Sequence, residues 1–131
     1  MSFVGLLACK NNEQQEKLDA MQKELIKGHD EVMPMSMKIP KLKTQLLESV
    51  EGLEETDEKL IEARRVAVDL TRANDDMYNW MDNFSEAINN TEDLNSKEEL
   101  FVRLQEEIDM ISESTKTAME AANNLLKEDV E

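Results

Sequence analysis

LDAMQKELIKGHDEVMPMSMKIPKLKTQLLESVEGL, residues 18–53, carries the pattern that decides the fold. Stepping alternately three and four residues from Leu18 meets Met21, Leu25, Gly28, Val32, Met35, Ile39, Leu42, Leu46, Ser49 and Leu53. Nine of these eleven positions are apolar, a sustained heptad seam of the kind a long packed helix needs. A second seam runs Leu60, Ala63, Ala67, Leu70, Asn74, Met77, Met81, Phe84, Ile88, with Asn74 as its polar exception. A third runs Phe101, Leu104, Ile108, Ile111, Thr115, Ala118, Ala122, Leu125, broken only at Thr115. Between the first two, Gly52 can end a helix and Thr56 or Asp57 can cap the next. Ser96 with Glu99 reads as a capping box opening the third. Short links between long helices make antiparallel neighbours. The expected fold is all-α: an up-down-up antiparallel three-helix bundle spanning residues 17–131.

Pro34 and Pro40 lie inside the first seam, and a proline within a helix costs about 3 kcal/mol. The heptad frame passes both without a change of phase, which favours one Pro-kinked helix. A break across residues 34–40 would instead give four shorter helices.

Composition narrows the function classes. Thirty acidic against fifteen basic residues give a net charge of −15, a surface that repels phosphate backbones and argues against nucleic-acid binding. Charged residues make up 34% of the chain while Gly, Pro and aromatics are few, which fits long helices rather than sheets. No nucleophile has a base nearby in the sequence, one His with a Cys read below as lipidated cannot make a triad, and no Gly-rich phosphate loop is present, so an enzyme is not expected.

Leu6-Leu7-Ala8-Cys9 fits the cleavage and lipidation site of a bacterial lipoprotein. Residues 1–8 then read as the remnant of a signal peptide and Cys9 as the acylated first residue of the mature chain. Residues 9–16 read as a polar tether to the bundle. The leader lacks a basic n-region, so Met1 is expected to be an internal methionine of a longer precursor. The expected location is the cell envelope, on the periplasmic face of the outer membrane, held through lipidated Cys9.

With the first turn centred near residue 55, His29 comes level with Met81 and Met33 level with Met77. Trp80 falls in the same slab, and folding the third helix back brings Met110 level with Tyr78. Thioethers and imidazole suit soft cations, so His29, Met33, Met77 and Met81 form a candidate Cu(I)/Ag(I) site, with Trp80 as a cation–π partner. Methionine at heptad positions also serves as plain core, with His29 bonding across a kink at Pro34. Both readings stay open at this point.

His29-Asp30-Glu31-Val32-Met33-Pro34, then Ile39-x-x-Leu42-Lys43-x-x-Leu46, and Ala73-Asn74-Asp75-Asp76-Met77-x-x-Trp80-Met81-x-x-Phe84 resemble a family of small bacterial lipoproteins often labelled "viral A-type inclusion protein". The resemblance covers roughly residues 6–84, the leader and the first two helices. It implies a secreted, lipid-anchored helical protein and carries no activity with it. The expected function is therefore a non-enzymatic envelope module that binds a protein partner, with Trp80, Tyr78, Met81 and Phe84 as its contact surface. The alternative is a Cu(I)/Ag(I)-binding periplasmic protein.

Overall fold

The computed structural model describes the backbone of residues 2–130 and the side chains of residues 11–128. Three helices, α1 (Ser2–Ser49), α2 (Glu58–Asn90) and α3 (Leu94–Val130), pack on one another in up-down-up order, with no strand among the described residues. The expected all-α three-helix bundle is what forms. Residues 1–8 and Cys9, read from sequence as leader and lipidation site, lie outside the described side chains.

α1 runs through both prolines as one helix, so the four-helix alternative does not hold. Pro34 and Pro40 are exposed, while Val32 just before them and Ser36 and Ile39 between them turn inward. The rings therefore face water, and the apolar burial of the flanking turns offsets the two missing backbone donors. The stretch 9–16, expected as a tether, is a continuation of the α1 helix. Gln14 donates from Nε2 to Asn95 Oδ1 at 2.7 Å, and Lys17 pairs with Glu98, fastening α1 to the start of α3. The Lys17 ammonium holds the Glu98 carboxyl below the usual carboxylate range.

Both connections are short. Gly52 adopts a positive φ of 85° just beyond α1, the left-handed conformation that glycine takes without a Cβ clash. Asp57 caps α2 by accepting from the backbone N–H of Lys59 at 2.9 Å. The start of α3 differs from expectation. Asp93, not Ser96, is the cap: its carboxylate accepts from the hydroxyl of Ser96 at 2.7 Å and from the Ser96 backbone N–H at 3.0 Å. An ionised carboxylate is the stronger acceptor, so Asp93-x-x-Ser96 wins over Ser96-x-x-Glu99 and the helix begins at Leu94. The same two bonds hold the Asp93 carboxyl below its ordinary value.

The buried residues fall into two apolar clusters. One, toward the α1–α2 turn, gathers Ile39, Leu42, Leu46, Leu60, Val66, Leu70, Ala118 and their neighbours. The other, toward the Cys9 end, gathers Leu18, Leu25, Val32, Met77, Trp80, Phe101, Leu104 and Ile108. Polar residues mark the boundary on every helix: Ser36 between Val32 and Ile39, Asn74 beside Ala73 and Met77, Thr115 between Ile111 and Ala118. Ser36 donates its hydroxyl to Asn74 Oδ1 at 2.6 Å. Thr115 is 0% exposed, and its hydroxyl has no partner. This polar layer fixes register. A slide of α1 by one heptad would put the buried Ser36 hydroxyl opposite Ala67 or Met81, neither able to answer it as Asn74 does.

Candidate functional site

The Ser36–Asn74 bond also sets the antiparallel register of the expected site. Seven residues toward Cys9 along α1 is His29, and the same two turns along α2 reach Met81. The imidazole of His29 lies against the indole of Trp80, with ring centroids 6.3 Å apart and planes 26° from parallel. Trp80 in turn stacks on Phe84 at 5.1 Å, and Phe84 meets Phe101 of α3 at 6.3 Å. Met77 belongs to the buried part of this cluster, while Met33 and Met81 pack against it half-buried. His29, Met33, Met77, Met81 and Trp80 are thus brought to one region of the bundle.

Their roles separate by depth. Met77 is 0% exposed and Trp80 1% exposed. Trp80 donates its Nε1–H to the backbone carbonyl of Leu104 at 2.8 Å, so the indole is satisfied inside the bundle. That corrects the reading of Trp80 as part of an exposed contact surface. Tyr78 alone of that set faces outward, at 52% exposure, while Met81 and Phe84 are half-buried. Met110, expected in the layer, is 69% exposed on the solvent side of α3. Its level is close to that expected, since it lines a surface pocket with Asn79, Trp80 and Asn83 of α2, but its side chain turns to solvent rather than into the layer.

Next to His29, α1 approaches α3 closely at Gly28. A Cβ there would stand 3.1 Å from Ile108 Cγ2 and 3.2 Å from Cγ1, tighter than ordinary van der Waals contact. The helices are pinned at this point, which holds the imidazole in place. His29 keeps 29% of its side chain exposed, and its Nδ1 lies 3.1 Å from Asp30 Oδ1. It bonds its neighbour's carboxylate rather than a carbonyl freed by Pro34. Among the described residues no group of three or more His, Cys, Asp or Glu is gathered to hold a metal ion.

One feature escaped the sequence reading. Between α1 and α3 runs an apolar groove of about 520 Å³, floored by Ala20, Met21, Phe101 and Val102. Lys17, Glu24 and Glu106 stand along it. Phe101 and Met21 are seam residues, but exposed Val102 belongs to no seam, and the groove needs two helices at once to be seen. It lies at the end of the bundle where α1 leads on to Cys9. No protein-family model, curated protein or solved structure matches the chain.

Proposed function

We propose that this chain is a non-enzymatic, lipid-anchored helical module of the bacterial cell envelope that holds a protein partner. The observation that carries the reading is the course of α1. The helix bearing Leu6-Leu7-Ala8-Cys9 continues unbroken into the bundle, where Gln14 and Lys17 clamp it to α3. A lipid on Cys9 would thus be joined to the folded body by a helical stalk of roughly 15 Å rather than by a slack linker. No helix among the described residues is long and apolar enough to cross a membrane; in this reading the acyl chains supply the attachment. The resemblance of HDEVMP and MxxWMxxF to small lipoproteins supports the same anchor, and the periplasmic face of the outer membrane is the proposed site.

The apolar α1–α3 groove beside the stalk is the better contact surface than the indole, since Phe101, Met21 and Val102 line it and Trp80 is enclosed. The surrounding charge of −15 keeps nucleic acid away. Expressed from its native gene in a bacterial host, the protein is expected to be membrane-bound and to incorporate palmitate. Cys9→Ser should abolish the label and move the protein out of the membrane fraction. An unlabelled protein, or a Cys9→Ser variant that fractionates unchanged, would overturn the anchor.

A further inference from the structure

The geometry points to a soft-cation site on the flank of the bundle: we propose that His29, Met33 and Met81 bind one Cu(I) or Ag(I) ion beside the face of Trp80. This goes beyond the anchored-module reading and does not depend on it.

Four observations converge. His29 and Met33 are i,i+4 on α1 and leave one face of it, and the register set by Ser36 and Asn74 brings Met81 of α2 opposite. All three are half-buried, open enough to admit an ion yet backed by the apolar cluster around Met77. A carboxylate can only accept, so the contact with Asp30 makes Nδ1 the proton-bearing nitrogen of His29. In the neutral ring Nε2 then keeps its lone pair free, the arrangement in which a carboxylate behind the ring orients a ligating imidazole. Finally, the donors are two thioethers and one imidazole, with no cluster of His, Cys, Asp and Glu among the described residues. That set matches monovalent d¹⁰ ions and rejects Mg(II), Ca(II) and Mn(II), which want oxygen. The indole, with its centroid 6.3 Å from the imidazole, supplies an electron-rich face to an ion of low coordination number. Met77, fully buried beneath them, forms the floor of the proposed site.

The test uses the full chain carrying Cys9→Ser, because a thiolate would take up silver by itself. Titration with Ag(I) is followed by fluorescence of the one tryptophan and by the Nε2 resonance of His29. The expected result is quenching that saturates at one equivalent, with the Nε2 resonance shifting in step. Met33→Leu, Met81→Leu and His29→Gln should each weaken binding about tenfold or more while leaving the melting curve close to that of the parent. Met37→Leu and Met110→Leu alter exposed thioethers and should change nothing. Quenching that fails to saturate, an unmoved Nε2 resonance, or equal sensitivity to Met37→Leu and Met33→Leu would overturn the site.

Discussion

Trp80→Ala is expected to destabilise the bundle by about 3–5 kcal/mol, the usual cost of emptying a large aromatic site in a core. The indole is 1% exposed and stacks on both His29 and Phe84, so its removal unpacks contacts from α1 and α2 together. It also crosses to α3 through the 2.8 Å bond to the Leu104 carbonyl. Two effects compete for the larger share. Loss of that bond costs about 0.5–1.5 kcal/mol, because a helical carbonyl has a second lone pair and is not orphaned. The cavity term is larger and decides the outcome. Trp80→Phe keeps a ring in place and should therefore lose less than half as much. Denaturant unfolding followed by helical circular dichroism measures both. A Trp80→Ala loss below about 1 kcal/mol would be the behaviour of a surface residue and would contradict the burial.

Thr115→Val is expected to do the opposite and stabilise the fold, by about 1–2 kcal/mol, the scale of a buried unsatisfied polar group. The two side chains have nearly the same shape, so the exchange removes a hydroxyl and opens no cavity. Thr115 is 0% exposed with no hydrogen-bond partner. Its companions in the polar layer behave differently because they are paired. Asn74→Leu removes the acceptor of the buried Ser36 hydroxyl and should cost about 1–3 kcal/mol. Opposite signs at neighbouring polar positions of one layer are a stringent outcome, since a general dislike of polar core residues would give the same sign at both. A loss of stability in Thr115→Val would show that the hydroxyl is bonded in solution.

Much of this architecture is legible in the seams. α3 buries Phe101, Leu104, Ile108, Ile111, Thr115, Ala118 and Ala122, every one a seam position. In α1 the frame survives two prolines because both rings fall on the solvent side. Even Asn74 and Thr115, the polar exceptions of the second and third seams, prove to be the marks of one layer, although Ser36, one residue past the expected Met35, was not foreseen there. What the pattern of a single helix does not hold is which flank of its apolar stripe lies deepest. α2 faces two neighbours at once, so Trp80 and Ala87 sink beside the seam positions Met81 and Ile88, which stay half-buried. The choice is made by α3, whose Leu104 carbonyl receives the indole proton from outside the helix's own periodicity. The half-buried His29 and the α1–α3 groove are likewise products of two helices meeting.

The central claim is that α1 and α2 run antiparallel in the register that lays His29 against Trp80. Proton NMR of the folded chain tests it most directly. The account requires nuclear Overhauser contacts between the His29 ring protons and the indole ring, and an indole N–H that exchanges slowly because Leu104 accepts it. A fast-exchanging indole N–H, with no contact between the two rings, would contradict the register and the site built on it.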